Sequence, residues 1–140
     1  MTLFTPRAFR RSVAAASLAW FAGCSSMSPP ARSVAILEPA DGATVSSPFK
    51  VRFGVRGMAV APAGEVLADS GHHHLLIDLD AMPAGESIPV TERHLHFGKG
   101  QTETEVKLAP GNYRLTAQFA NGAHQSYGKA MSQTIAVVVK

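Results

Sequence analysis

The sequence predicts an all-β domain built as an antiparallel sandwich of about seven strands. Short apolar segments with the two-residue period of a half-buried strand recur along the chain, separated by Gly, Pro and Asn. No segment carries the apolar stripe, repeated every 3.6 residues, that marks an amphipathic helix. This succession of strands and turns is typical of immunoglobulin-like sandwiches, in which two sheets pack over one core.

The predicted strands follow one another in a regular order. The clearest is 49–56, where four large apolar residues alternate with three charged residues and a glycine. The first strand is expected to stop before Pro39, and Asp41-Gly42 marks the next turn. The segment 57–70 contains Pro and Gly and is predicted to be a loop. The strands are predicted at 34–38, 49–56, 71–80, 93–97, 102–108, 113–120 and 134–139.

The N-terminal segment is typical of an export signal. Three arginines precede an apolar and small-residue run at 12–23, which is shorter than the ~20 residues needed to span a bilayer. Phe21-Ala22-Gly23-Cys24 resembles the bacterial lipobox, in which the cysteine is lipidated and becomes the new N-terminus. We therefore predict a lipoprotein signal peptide at 1–23, a lipidated Cys24 with a flexible tether to residue 33, and a sandwich domain at 34–140.

The predicted location is the cell envelope, with the lipid anchor in the outer membrane and the domain facing the periplasm. Serines rather than an aspartate follow Cys24, which disfavours retention in the inner membrane. Arg10-Arg11 leaves twin-arginine export as a second route. Without the signal the chain has ten basic and ten acidic residues, so no basic surface for nucleic acid is expected. Cys24 is the only cysteine, which excludes an internal disulfide.

The histidines carry the strongest functional signal. All six fall between residues 72 and 124, and four of them form two His-x-His pairs on predicted strands. Residues two apart on a strand point to the same side and lie nearly 7 Å apart. If the two strands are neighbours, four imidazoles could surround one ion at about 2.0–2.1 Å. A nitrogen ligand set without thiolate favours copper or zinc. The predicted ligands are His72, His74, His94 and His96.

Other side chains are weaker candidates. His73, on the apolar face, is expected to be a buried histidine bonded to a backbone carbonyl, with metal ligation as the alternative. His124 follows the Asn121-Gly122 turn and could cap a site at the same end of the sandwich. Asp78 could accept a hydrogen bond from a ligating imidazole, or be an ordinary exposed carboxylate. Methionines at 58, 82 and 131 are more typical of core or loop filler than of Cu(I) ligands.

Two sequence motifs resemble a known family. GHHHLLID at 71–78 and HLHFGKGQTE at 94–103 resemble the signature of a bacterial family of secreted and lipoprotein domains of unknown function. The similarity extends from Val34 to Val139 and implies one compact exported domain without an assigned activity. Its motif histidines correspond here to His72, His73, His74, His94 and His96.

A looser likeness concerns the segment before the last strand. Asn121-Gly122-Ala123-His124 occupies the place of a Gly- and His-containing turn in the periplasmic copper-resistance sandwich proteins, which it resembles at the level of the fold.

The function predicted from these observations is a non-enzymatic lipoprotein that binds copper or zinc for periplasmic sequestration or delivery. No Ser-His-Asp set or paired-carboxylate arrangement can be read from the sequence, so no catalytic residue is predicted. The expected partners are the metal ion, the membrane and an envelope protein, with no nucleic acid. Two alternatives remain. One is a protein- or glycan-binding sandwich with a structural histidine cluster, and the other is a metalloenzyme using three histidines with Asp78 or Glu92 as a base.

Overall fold

A computed structural model describes residues 31–140, so the predicted signal, Cys24 and most of the predicted tether lie outside the described residues. The all-β prediction is confirmed, since this part of the chain contains nine strands and one 3₁₀ helix. It has no helix with the length and apolar character that crossing a bilayer requires. The elements are β1 Ser33–Glu38, β2 Ala43–Val45, β3 Phe49–Arg56, β4 Ala59–Val60, β5 Ser70–Ile77, β6 His94–His96, β7 Glu103–Val106, β8 Gly111–Ala120, the 3₁₀ helix Lys129–Met131 and β9 Ser132–Val139.

The strands form two sheets with immunoglobulin-type order. One sheet is β1-β3-β7, and the other runs β2-β9-β8-β5, with β4 and β6 pairing in succession along the free edge of β5. Immunoglobulin sandwiches keep strands A, B and E in one sheet and C, F and G in the other. Strands β1, β3 and β7 match the first group, and β5, β8 and β9 match the second.

The structure adds two short strands to the prediction and shifts the ends of every predicted strand except β3 by one to three residues. Strands β2 and β4 were not predicted, and both pair in parallel, with β9 and β5 respectively, so the larger sheet is mixed. Two or three residues are too few to show an alternating pattern, and their pairing depends on the tertiary fold. Strand β5 ends at Ile77 rather than at residue 80, because Asp78 has φ 53° and turns the chain out of the extended conformation.

The main core lies between the two sheets. Phe49, Val51 and Phe53 of β3 are buried there, as the alternation predicted, and face the inward side chains of β5 and β8. Leu76 and Ile88 are also buried but do not belong to this cluster. A second covered layer therefore lies on the outer side of the larger sheet.

Two connecting segments, 78–93 and 121–131, form the cover of that outer face. Gln118 of β8 joins them to the sheet: its Oε1 accepts a hydrogen bond from the Met82 amide at 3.0 Å, and its Nε2 donates to the Gly128 carbonyl at 3.0 Å. All eight residues of β5 are consequently buried, whichever face they occupy. The outer face of β5 is thus an enclosed environment for polar side chains.

Tyr113, at the start of β8, makes the hydrogen bond that is typical of a tyrosine corner. Its hydroxyl donates to the Ala109 carbonyl at 3.0 Å, across the connection between β7 and β8.

We expect Tyr113→Phe to keep the fold and to lower the free energy of unfolding by about 1 kcal/mol, because only this bond is lost. Urea denaturation of both proteins measures this difference in the free energy of unfolding, and an unchanged m-value would indicate that the fold is intact. An unchanged midpoint would show that the bond adds no stability.

Candidate metal centre

The candidate centre is built on the outer face of β5. Alternation along the strand points His72 and His74 away from the main core, while His73 points into it. The register of β5 places His74 opposite His96 of β6. On its other side, β5 pairs His72 with Ala120, the last residue of β8, and the following turn carries His124. Histidines therefore approach the same place from both sides of β5.

The four side chains lie close together. Nε2 of His72 is 3.0 Å from Nε2 of His74. One ring nitrogen each from His72, His74 and His96 can be chosen so that all lie within 4.8 Å of one another. The ring centroid of His124 lies 4.6 Å from that of His96, 5.1 Å from that of His72 and 6.0 Å from that of His74. Three imidazoles thus converge on one place, and the ring of His124 lies beside them.

This geometry fits a transition-metal ion. With metal–nitrogen bonds of 2.0–2.1 Å, four tetrahedral imidazoles have nitrogens about 3.3 Å apart and ring centroids about 5 Å apart. The six centroid distances here run from 4.6 to 6.0 Å. Packed aromatic rings take similar spacings without an ion. The ring spacing alone therefore does not distinguish an ion site from packed rings. The hydrogen bonds of the ring nitrogens do distinguish them.

Several of these nitrogens are buried without a partner. His72 Nδ1, His74 Nδ1 and His96 Nε2 make no hydrogen bond among the described residues. Buried polar atoms are nearly always bonded, and each one left unpaired costs about 1–3 kcal/mol. A hydrogen-bonded structural cluster would satisfy them, and this one contains a single contact, between His72 and His74. The lone pair of His96 Nε2 in particular is available to an ion.

The environment keeps these imidazoles neutral. Burial lowers the pKa of His72 to about 4, and repulsion from His96 and His124 adds to the effect. Burial also lowers the pKa of His74 to about 3, with further contributions from the neighbouring imidazoles. The pKa of His96 is lowered by the same two causes. Metal ions bind neutral imidazole, so these side chains are in the ligating form at pH 7.

The family model described as "Domain of unknown function (DUF4399)" matches residues 51–140. The chain belongs to this family. The match includes all six histidines and confirms the prediction of a family without an assigned activity. It begins at residue 51, so β1 and β2 lie outside the matched part, although the sequence motifs predicted similarity from Val34. No curated protein and no solved structure matches the chain.

In this DUF4399 domain, a glycine leaves room for the His96 ring. A Cβ on Gly98 would lie 2.2 Å from Cε1 and 2.3 Å from Nε2 of His96. The His96 ring therefore folds back over the backbone of residue 98, and any side chain there would displace it. The HLHFG motif thus contains both the ligand candidate and the space that it occupies.

The turn that carries His124 is fixed by Asn121. The side-chain Oδ1 of Asn121 accepts hydrogen bonds from the amides of Ala123 and Gln125, both at 3.0 Å. The His124 amide donates to the Asn121 carbonyl at 2.9 Å, and the His124 carbonyl accepts from the Ile88 amide at 2.9 Å. His124 itself has φ 64°, in the left-handed region. The loop after β4 covers this end, since the Gly64 amide donates to the Gly122 carbonyl at 2.9 Å.

The structure does not bring His94 into the group. Because His94 pairs with Leu76, it lies two residues further along β5 than His96 does. Its Nδ1 lies 2.8 Å from the Thr91 hydroxyl, in the turn that precedes β6. His124 lies beside the group instead, with its ring centroid 4.6 Å from that of His96. An Asn-Gly turn at the end of a strand is the one feature of the sequence that indicates this position.

His73 lies in the main core, and the prediction that a backbone carbonyl satisfies it is wrong. Both of its ring nitrogens lack a partner among the described residues. The ring stacks on Phe53 at 5.0 Å and meets Phe119 edge-on at 5.0 Å. Burial lowers its pKa to about 4. Because it points to the opposite side of the sheet from His72 and His74, it cannot share an ion with them.

The acidic and methionine candidates also lie elsewhere. Asp78 follows the end of β5, and its Oδ1 accepts a hydrogen bond from the Arg114 amide at 2.8 Å, so it does not orient an imidazole. Met131 is buried in the main core, and Met58 packs against that core. Cys24 lies outside the described residues.

The lowered pKa values predict acid sensitivity of the metal-free protein. Unfolded histidine has a pKa of 6.5, so between pH 6.5 and 4 the unfolded chain binds protons that folded His72, His73 and His74 do not. The free energy of unfolding should be constant above pH 7 and fall progressively as pH drops from 6.5 to 5, by about 1 kcal/mol or more per pH unit for the three histidines together. Urea denaturation of the metal-free protein across pH 5–7.5 measures this pH dependence.

The control for this experiment is His94→Ala, which should keep the slope. A stability that does not change between pH 7 and pH 5 would contradict the prediction. That window lies above the range in which carboxylates take up most of their protons.

Proposed function

We propose that this protein binds a copper or zinc ion through His72, His74 and His96, and that it sequesters or delivers the ion in the cell envelope. The observation that carries the proposal is the convergence of three neutral imidazoles from two paired strands, with ligand atoms within 4.8 Å of one another. The unpaired His96 Nε2 and the absence of a carboxylate from the group support a nitrogen-only site. Such a site suits copper and zinc, with affinity generally highest for Cu(II).

Binding is favoured over catalysis by what surrounds the three imidazoles. A hydrolytic metal centre needs an open coordination position and a base close to the bound water. Among the described residues no carboxylate joins the group, and Asp78 is hydrogen-bonded to the backbone of β8. A fourth imidazole, that of His124, lies beside the group, with its ring centroid 4.6 Å from that of His96. This arrangement supports a carrier of the ion.

The proposed location follows from the N-terminal sequence. The basic start, the apolar run at 12–23 and the lipobox-like residues before Cys24 support export and lipidation. Bacterial lipoproteins carry more than one acyl chain at this cysteine, and stable anchoring requires more than one. The ten-residue segment 24–33 would then link the anchor to the domain, which faces the periplasm from the outer membrane.

Metal binding is tested by two substitutions on the same strand. The exported, tag-free protein is titrated with Cu(II) and with Zn(II) against a chelator of known affinity, beside His96→Ala and His94→Ala. We expect one equivalent bound by the wild type, a loss of affinity of more than about 100-fold in His96→Ala and no change in His94→Ala. His94 is the matched control because it is two residues away and outside the group.

A third variant keeps all six histidines. Gly98→Ala should fold, since the added methyl meets the end of a side chain, but it should weaken binding because the His96 ring has to move. If the wild type binds no stoichiometric metal, and His96→Ala changes only stability, the histidines are a structural cluster and the proposal is wrong. Metal analysis of the purified protein completes the test.

The lipid anchor is tested separately. Wild-type protein should fractionate with the outer membrane and yield an N-terminal peptide that carries the mass of acyl chains. Cys24→Ser should carry no acyl mass and should no longer fractionate with the outer membrane, since the acceptor thiol is missing. Recovery of the wild type in the soluble fraction, with an unmodified cysteine, would exclude the anchor.

A further inference from the structure

His124 differs from the other three histidines in the way it is held. His72 and His74 are in the central strand β5 and are completely buried. His96 is in β6, and its Nε2 is buried under the covering loops. His124 comes from the turn that follows β8; like His96 it is partly exposed, but it does not belong to a paired strand. Three rings thus belong to a paired sheet, and the fourth belongs to a turn at the surface.

We propose that His124 is a displaceable fourth ligand, and that the ion enters and leaves at its side by exchange with an incoming imidazole from an acceptor protein. This inference rests on the proposed metal-binding function. A closed shell of four imidazoles holds an ion tightly, and transfer then requires that one ligand be replaced at a time. Only a ligand on a separate, partly exposed element can leave without opening the sheet.

The His124 ring lies next to the three-histidine group, outside the set of ligand atoms that lie within 4.8 Å of one another. Its centroid lies 4.6 Å from that of His96 and 5.1 Å from that of His72, close to the ~5 Å expected for imidazoles on one ion. Its centroid is 6.0 Å from that of His74, the longest of the six distances. The fourth side of the centre is therefore the loosest, as a displaceable ligand requires.

The backbone at His124 points to the same role. His124 has a φ of 64°, a conformation that is uncommon for residues other than glycine, although histidine adopts it more often than most. Glycine adopts this conformation without penalty. A glycine at 124 should therefore suit the turn better than histidine does, which indicates that the imidazole contributes something other than stability.

This conformation supplies a test variant that should fold. We expect metal-free His124→Gly to melt at the same temperature as the wild type or higher, and still to bind one equivalent of Cu(II). Its electron paramagnetic resonance spectrum should show one nitrogen ligand fewer, with solvent in its place. Added imidazole should restore the wild-type spectrum in a saturable manner. Loss of Cu(II) to excess chelator should be faster than in the wild type by about tenfold or more.

Each outcome has a distinct meaning. A Cu(II)-loaded His124→Gly with the spectrum and release rate of the wild type would show that His124 is not a ligand. Failure of this variant to bind Cu(II), with its fold intact, would make His124 an indispensable ligand and overturn displacement. His94→Gly is the control and should leave spectrum and rate unchanged. Failure of the wild type to bind either Cu(II) or Zn(II) would instead refute the proposed function itself.

Discussion

The pairing of β5 with β8 on one edge and with β6 on the other determines where every candidate ligand lies. The two-residue period of the strand divides its histidines between the main core and the outer face. The register with β6 then places His96 beside His74, and the register with β8 delivers the 121–125 turn beside His72. Gly71 makes part of this pairing possible, because a Cβ there would lie 2.1 Å from the Ala120 carbonyl oxygen. A shift of one residue in either register would separate the rings.

Burial of the histidines on the outer face of β5 places the stability of the fold in conflict with metal binding. Burying imidazoles with unpaired nitrogens is unfavourable, and their mutual repulsion disfavours protonation of any one of them. The domain compensates with the main core, where apolar residues of both sheets are almost completely buried. A ligand that binds only the folded state adds stability by mass action. A metal bound by one nitrogen of each imidazole would therefore reduce the number of unpaired atoms in the group and stabilise the fold at the same time.

Much of the frame could be predicted from the sequence, because alternation over eight residues is a physical consequence of burying one face. The alternating pattern identified β3 at its observed bounds and divided the histidines of β5 between the two faces of the sheet. It could not separate His94 from His96, since both have the same parity and only the register with β5 distinguishes them. Strands β2 and β4 are too short for a pattern, and their parallel pairing depends on distant segments. The prediction that a backbone carbonyl bonds to His73 was wrong, because aromatic rings and not backbone groups pack against its imidazole.

The geometry also bears on the choice between copper and zinc. Zinc has no preference arising from d-electrons and accepts a tetrahedral set of imidazoles, whereas Cu(II) binds most tightly but favours tetragonal arrangements. Three of the rings are fixed by paired strands and their cover, so they cannot all flatten around an ion. The coordination can adjust at the His124 side chain, which is on a turn and not on a paired strand, either by moving the ring or by replacing it. If the centre holds Cu(II), the displaceable side therefore serves two purposes: it accommodates the preferred geometry, and it gives an acceptor a position from which to take the ion.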